Sequence, residues 1–363
     1  MSTIYGNPIL IPLFDPSAKI YGVDFTNMAT SSVGTRTNDA ANFTDPQPAV
    51  AGGTGSSPFD SIMPWCGMKR FTHPDAGEVV SIPKFYYKWI TNGTKMTGLQ
   101  ISMTKHEGFN TSPSHMDRGD GKGERDVIYV GRYHSCSTNK STTGQLPKVN
   151  ITRSAARTAV HSLGSNIWQF DYATRVTIWM LYLVEFADWD ASDKIGFGAG
   201  NNSSVENVGA SDSMQYHTGT MQPNRRDDGV GVQYRYIEGL WDNAIDWMDG
   251  CYYSANGMFI ILNPNSFSDT TNGTVIGIPV QRYPATFSVP NILGLEWAIY
   301  PSESKSDNSN GTTDEWQYNS ASPCLKSGAY YNGYWARGLF YVSCVSASST
   351  AASTSFRVLI LPS

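Results

Sequence analysis

The chain has 363 residues, a formal net charge of -5, 16% charged residues and 12% aromatic residues. The slight acidic excess provides no basic field for nucleic acid. The most apolar run, VTIWMLYLV (176–184), is far shorter than the ~20 residues that a membrane-spanning helix needs. We therefore expect no nucleic-acid partner and no membrane insertion.

The first 58 residues are predicted to form an extended N-terminal arm. The segment KIYGVDFT (19–26) predicts one strand, and the stretch 35–60 is rich in Pro, Gly, Asn and Asp, which interrupt regular structure. We expect this arm to serve attachment or oligomerisation. The beginning of the chain lacks the cationic segment and apolar run of a secretory signal. Residues 59–363 are expected to form the second, larger unit.

Three strands are predicted next, followed by two helices. The segments 78–90, 98–105 and 125–136 combine β-branched and aromatic residues between Gly and Asn. A first helix over 150–164 has Thr152 as its N-cap and Gly164 as its stop, and a second over 170–190 begins at Asp171. The second helix is apolar nearly all round, which predicts a buried core helix. Beyond residue 190, long loops alternate with short strands up to a closing strand, FRVLILPS (356–363).

The segment YRYIEGLWDNAIDWMDGCYY (234–253) is the most unusual of the chain. Trp241 and Trp247 are six positions apart, and Asp242, Asp246 and Asp249 lie between and after them. Aromatic rings beside carboxylates are typical of three different features. They line sugar-binding walls, they accompany catalytic acid pairs, and they occur in protein cores.

The order of these elements resembles a C-type lectin-like domain, in the version found in formylglycine-generating-enzyme-type proteins. GLWDNAIDWMDG (239–250) is similar to a Trp-rich stretch of that group, and YWARGLFYVSC (334–344) with TSFRVLIL (354–361) resembles its closing hairpin. The resemblance implies an α+β fold with two helices, short antiparallel strands and a long loop-rich region. It also implies that Trp241, Asp242, Asn243 and Trp247 are core scaffold. We expect the closing strand to pair near IPKFYYKWI (82–90).

The whole pattern, with SPFDSIMPWCGMKR (57–70) and HMDRGDGKGERDVIYVGRYH (115–134), resembles tail or fibre proteins of tailed bacteriophages. Some proteins of that kind are targets of diversity-generating retroelements. The resemblance implies a virion protein, made in the host cytoplasm and placed on the tail or a fibre. Its expected partners are other phage tail proteins, two further copies in a homotrimer, and a bacterial surface receptor that is a protein or a glycan.

The sequence gives little support for enzyme chemistry. The five cysteines form no CxxC pair, which argues against a disulfide framework or a zinc site. The formylglycine-generating oxidases hold copper with two cysteines of the closing hairpin; here Cys344 is twenty positions from Cys324. The six histidines lack ligand spacing. In the acidic segment 116–126, Gly119 stands where a calcium loop has Asp or Asn. We predict a protein without enzymatic activity, cofactor or metal, and leave a cation at 117–124 open.

The predicted binding surface lies in the segment 328–357, which joins an aromatic cluster to a run of Ser, Ala, Thr and Val. Tyrosine offers rigid contact area and a hydroxyl at a low entropic cost. From Phe340 to Ser355, every residue type is reachable by changing the adenines of an asparagine codon. Common Ser/Ala-rich composition also explains this. The predicted aromatic anchors are Tyr330, Tyr331, Tyr334, Trp335 and Tyr341, and the predicted hydrogen-bonding residues are Asn332, Arg337, Ser343 and Ser346. The alternatives are a ligand-free tail, baseplate or decoration component and, third, an oxidase of the formylglycine-generating type.

Overall fold

A computed structural model describes residues 18–198, 204–227, 229–270, 272–307, 313–328 and 338–362. The α-helices within these ranges are α1 (Arg153–His161), α2 (Tyr172–Phe186) and α3 (Ala191–Lys194). The strands of the first half are β1 (Ile20–Asp24), β2 (Thr35–Asn38), β3 (Ala49–Val50), β4 (Arg70–His73), β5 (Gly77–Pro83), β6 (Tyr86–Asn92), β7 (Lys95–Ser102), β8 (Asn110–Thr111), β9 (Val127–Gly131) and β10 (Ile167–Gln169). Those of the second half are β11 (Gly219–Thr220), β12 (Val232–Tyr234), β13 (Ile237–Glu238), β14 (Ile245–Ser254), β15 (Gly257–Ile260), β16 (Thr274–Gly277), β17 (Tyr283–Ser288), β18 (Tyr300–Lys305), β19 (Cys324–Ser327), β20 (Val342–Val345), β21 (Thr354–Ser355) and β22 (Val358–Ile360).

The fold is mainly β, so the predicted α+β class with two helices is wrong. Of the described residues, 33% are in strands and 12% in helices, and the strands form four sheets. The prediction failed because short strands pair over long sequence separations. β3 pairs with β11 across about 170 positions, for example, and such pairing depends on tertiary packing more than on local propensity.

The first sheet contains the N-terminal strands. Its order is β18-β17-β7-β1-β2, with β6 beside β7 and β8 beside β6. β1 runs antiparallel to β7 from Ile20 opposite Ser102 to Asp24 opposite Gly98. Tyr21 and Val23 of β1 are buried in the main hydrophobic core. Residues 20–38, assigned to the arm from sequence, thus contribute two strands to this sheet, while the division of the chain at residue 58 stays a prediction.

The second sheet has the order β10-β22-β9-β5-β4, with the closing strand inside it. β22 pairs with β9 on one side and with β10 on the other. The segment 78–90, predicted as one strand, forms β5 and β6, which belong to different sheets. β22 therefore has no direct pairing with the segment 82–90, because β9 separates it from β5.

Arg357 connects the closing strand to three other parts of the chain. Its side chain is fully buried immediately before β22. A guanidinium group carries five N–H donors and stays charged, so its burial requires several acceptors. The acceptors are the carbonyl oxygens of Gly131, Arg132 and Glu238 at 2.9 Å, that of Gly239 at 3.2 Å and Asp246 Oδ2 at 3.2 Å.

The helices α1 and α2 form where their local sequence predicts them. Thr152 accepts a hydrogen bond from Ala155 N, and Asp171 accepts one from Thr174 N, so both predicted N-caps are confirmed. All 15 residues of α2 are buried, which confirms the core helix. It packs against β1, β7 and β14. None of the helices in the described ranges is long and apolar enough to cross a membrane.

The two remaining sheets carry the Trp-rich segment and the C-terminal hairpin. One has the order β13-β12-β11-β3, and the other the order β16-β15-β14-β19-β20, with β21 pairing in parallel with β14. The ten-residue strand β14 is the longest described, and its first nine residues are buried. β19 and β20 therefore continue a sheet whose central strand lies in the core.

Candidate functional site

The predicted binding residues fall on and beside the connection between β19 and β20. These strands are antiparallel, with Cys324 opposite Val345 and Ser327 opposite Val342. Residues 328–341 connect them, and 329–337 lie outside the described residues. Six of the predicted residues fall in that gap: Tyr330, Tyr331, Asn332, Tyr334, Trp335 and Arg337. Tyr341, Ser343 and Ser346 are described.

The start of this connection is fixed by a buried arginine. Arg175 of α2 donates from Nε to Ser327 Oγ at 2.9 Å and from Nη2 to Leu240 O at 2.8 Å. Ser327 Oγ in turn donates to Tyr341 O at 2.7 Å, which joins the two ends of the connection. Gly328 has φ +88°, and a Cβ there would lie 2.3 Å from Leu240 O. Only glycine fits this close approach to the backbone.

The return of the connection is held by Asp314 and α2. The carboxylate of Asp314 accepts hydrogen bonds from Gly338 N at 2.6 Å and Phe340 N at 2.8 Å. Trp179 Nε1 of α2 donates to Leu339 O at 2.8 Å. The Phe340 side chain is buried and lies against Trp179 and Trp189, with ring centroids 5.4 and 4.6 Å away. Both ends are therefore bound to the core helix or to core strands.

Asp314 is electrostatically unusual among the groups around the connection. Burial, together with the neighbouring carboxyl of Asp190, raises the pKa of its carboxyl to about 7, although the two backbone N–H donors and Arg175 act in the opposite direction. A carboxyl in these surroundings changes its charge near neutral pH. We therefore expect the attachment of residues 338–340 to depend on pH.

The three described members of the predicted set differ in exposure. The Tyr341 residue is 2% exposed and Ser343 is 3% exposed, whereas Ser346 is exposed. Ser346 begins a polar turn in which Ser349 N donates to Ser346 O at 3.0 Å. Thr354 and Ser355, at the end of the stretch with asparagine-codon composition, are fully buried. Exposed side chains in this stretch are thus confined to the turn between β20 and β21.

The Trp-rich segment is core scaffold, as the resemblance implied. Trp241 and Trp247 are 0% and 1% exposed, and Trp241 Nε1 donates to Gly196 O at 2.9 Å. Asp242 is buried and accepts bonds from Gly231 N and Val232 N at 3.1 and 3.0 Å. Side chains enclosed in this way present no surface to a sugar or a substrate.

Carboxylates of the acidic segment 116–126 bond to other groups of the protein. Asp120 pairs with the buried Arg125, and Asp117 Oδ1 accepts a bond from Gly119 N at 2.9 Å. Glu124 Oε1 accepts a bond from Thr111 Oγ1 at 2.7 Å. No group of three or more His, Cys, Asp or Glu side chains is arranged to hold a metal ion in the part of the chain that the structure describes.

Cys324 and Cys344 lie on neighbouring strands but face opposite sides of the sheet. Cys344 is opposite Leu325, so Cys324 is offset from it by one position. Because successive side chains of a strand alternate between faces, Cys344 packs against the main core and Cys324 belongs to a second cluster around α1. Burial raises the pKa of each thiol to about 11. The two sulfur atoms do not form a shared copper site.

A cleft that the sequence reasoning missed lies between α1, β10 and the turn Pro264–Ser266. Its volume is about 430 Å³. We name it the α1 cleft. It is lined by Arg157, Thr158, His161, Ser162, Trp168, Pro264, Asn265 and Phe267. The periodicity of α1 identified its buried face, but residues from three separated segments meet here, and no local pattern indicates that.

No protein-family profile and no curated protein matches the sequence. The phage and lectin-like resemblance is carried by the quoted motifs alone.

Proposed function

We propose that this chain is a receptor-binding protein of a phage tail or fibre, which recognises a bacterial surface receptor through the connection between β19 and β20 and the neighbouring turn. The fixed ends of the connection carry this proposal. Arg175 holds its start and Asp314 its return, both through buried hydrogen bonds. Binding residues are often found on loops that a rigid scaffold positions, and preorganised supports reduce the entropic cost of binding.

The burial of individual residues refines the proposed surface. Tyr341 and Ser343 are buried, so their proposed role is to support the connection. Ser346 is exposed and stays a contact residue. Tyr330, Tyr331, Asn332, Tyr334, Trp335 and Arg337 stay proposed contacts on the basis of the sequence. If the codons of residues 340–355 are diversified, positions that tolerate substitution would be concentrated in the exposed turn between β20 and β21, and not in those two buried strands.

The experiment compares two tyrosines of the same segment. Purified wild-type protein, Tyr334→Ala and Tyr341→Ala are tested for binding to a panel of bacterial isolates, and each is melted thermally. Tyr334→Ala is expected to keep its melting temperature and lose ~1–4 kcal/mol of binding energy, as interface anchors do. Tyr341→Ala is expected to lose ~3–5 kcal/mol of stability, because it empties a buried site.

Tyr86→Ala on β6, a partly exposed tyrosine of another sheet, is the matched control and should leave cell binding unchanged. A stable Tyr334→Ala variant that binds cells as well as wild type would contradict the proposal and favour the ligand-free structural component. Light scattering on the purified chain tests the proposed homotrimer.

A further inference from the structure

The α1 cleft has the size and the composition of a small-ligand site. Its volume of about 430 Å³ lies within the ~300–1,000 Å³ typical of such sites. One wall is the exposed His161 ring, stacked on Trp168 with centroids 4.3 Å apart and planes at 27°. Phe267 and Pro264 add apolar surface from the opposite segment. The cleft therefore offers the face of an imidazole ring, backed by Trp168, with smaller apolar contributions from the largely buried Pro264 and Phe267.

The charges around the cleft cancel. Arg157 donates to Asp249 Oδ2 at 2.5 Å, to Asp249 Oδ1 at 2.9 Å and to Asp269 Oδ1 at 2.8 Å. Arg153 is buried and donates to the same Asp269 Oδ1 at 2.8 Å. Two guanidinium groups thus face two carboxylates. An anion would have to compete with those carboxylates for Arg157, and a cation would find no carboxylate among the lining residues.

The lining side chains retain hydrogen-bonding capacity without net charge. His161 Nδ1 lies 3.0 Å from Ile167 O, so in the neutral ring Nδ1 carries the proton and Nε2 is an acceptor. Ser162 Oγ donates to Ala159 O at 2.7 Å and keeps its acceptor lone pairs. Asn265 Nδ2 donates to Asn263 Oδ1 at 3.1 Å, which leaves its carbonyl oxygen as an acceptor. Arg157 bonds to the two carboxylates through Nε and Nη2, so these bonds leave the N–H groups of Nη1 for other acceptors.

We infer that the α1 cleft is a binding site for a neutral saccharide. The apolar faces of a sugar ring pack on aromatic walls, and its hydroxyl groups both donate and accept hydrogen bonds. The cleft supplies an aromatic wall together with acceptors on His161, Ser162 and Asn265. None of its lining residues belongs to the segment 328–346, so this site is separate from the proposed receptor surface.

The test is saturation-transfer NMR on the full chain with lactose, maltose and N,N′-diacetylchitobiose as neutral probes. Digalacturonic acid and glucosamine serve as the anionic and cationic probes. At least one neutral probe is expected to bind, with a Kd of about 1 mM or tighter. His161→Ala and Asn265→Ala should each weaken that binding about 3- to 10-fold, the change for one lost hydrogen bond.

His106→Ala and Asn92→Ala are the matched controls, since they remove the same side-chain types from another part of the surface, and should leave binding unchanged. Both cleft residues are exposed. Since His161 also contacts Trp168 and Ile167, thermal melts verify that each variant is folded before its binding is compared with that of wild type. Absence of binding by all three neutral probes, binding of the charged sugars alone, or equal binding by wild type and both cleft variants would each overturn the inference. The assay contains no cells, so its outcome is independent of the proposed receptor role.

Discussion

Gly328 and Gly294 have nearly the same backbone conformation in different surroundings. Their φ angles are +88° and +81°; a Cβ on Gly328 would meet Leu240 O at 2.3 Å, whereas nothing lies within 4 Å of one on Gly294. Both alanine variants adopt a left-handed conformation that costs ~1–2 kcal/mol. Gly328→Ala must in addition displace the backbone, so it should lower the free energy of unfolding by ~1–3 kcal/mol more than Gly294→Ala, the usual cost of overpacking. Urea unfolding of the two variants measures the difference, and equal losses would show that the connection yields without cost.

The raised pKa of Asp314 predicts that the stability of the protein depends on pH, and the substitution Asp314→Asn should remove this contribution. Burial raises the pKa of this carboxyl from 3.8 to about 7, so the folded protein keeps the proton at pH values where the unfolded chain has lost it. The resulting stabilisation is fully present below pH 3.8 and is lost as pH rises through 7. In the Asp314→Asn variant, the side-chain amide at this position does not titrate. Relative to wild type, the variant should gain ~2–3 kcal/mol of stability between pH 5 and pH 8. Chemical unfolding at the two pH values tests this, and a parallel pH response of both proteins would contradict it.

The helices could be predicted from the sequence because their caps and apolar faces are determined by residues that are close together in the chain. Thr152 and Asp171 cap the helices they were expected to cap, and the apolar interior of α2 is buried. The break that separates β5 from β6 was missed because the β-branched and aromatic residues of 78–90 outweighed Pro83, which lacks an N–H donor and stands at the end of β5. The α1 cleft could not be predicted, since the segments that meet there are about 100 residues apart. The buried position of Tyr341 was missed because tyrosine is common both in cores and at interfaces.

At the scale of an element, the position of β22 depends on Arg357. A lysine at this position has one ammonium group in place of a planar fork, so it cannot reach the four carbonyl oxygens and Asp246 together. Arg357→Lys should therefore destabilise the fold by ~2–5 kcal/mol, because each buried carbonyl oxygen left without a donor costs ~1–3 kcal/mol. Arg226→Lys is the matched control; its side chain is 58% exposed beside Asp193, and it should change stability by less than ~0.5 kcal/mol. Thermal melts that fail to separate the two variants would show that water replaces the lost donors.

At the scale of the whole molecule, the two strands within residues 20–38 predict that the chain cannot be divided at residue 58 without loss of stability. A chain that starts at residue 59 lacks β1, which lies between β7 and β2, and loses Tyr21, Val23 and Phe25 from the main core. We expect this shortened chain to aggregate or to lack a cooperative melt. Circular dichroism and light scattering on both lengths provide the measurement. A shortened chain with the melting temperature of the full protein would support an independent arm.

The place of β22 within its sheet has a consequence for how the protein is made. A ribosome delivers β9 and β10 long before residues 357–360, and in the described part of the chain β22 is the strand that joins them. Until β22 is synthesised, the facing edges of β9 and β10 stay unpaired. Asp246 and the four carbonyl oxygens lack the donors of Arg357 during that time. Pairing between distant parts of a chain is slow, and open edges are prone to association. Folding of this sheet therefore finishes after synthesis of residue 360, so that any chain released before residue 357 carries an open edge that cellular proteases and chaperones can recognise.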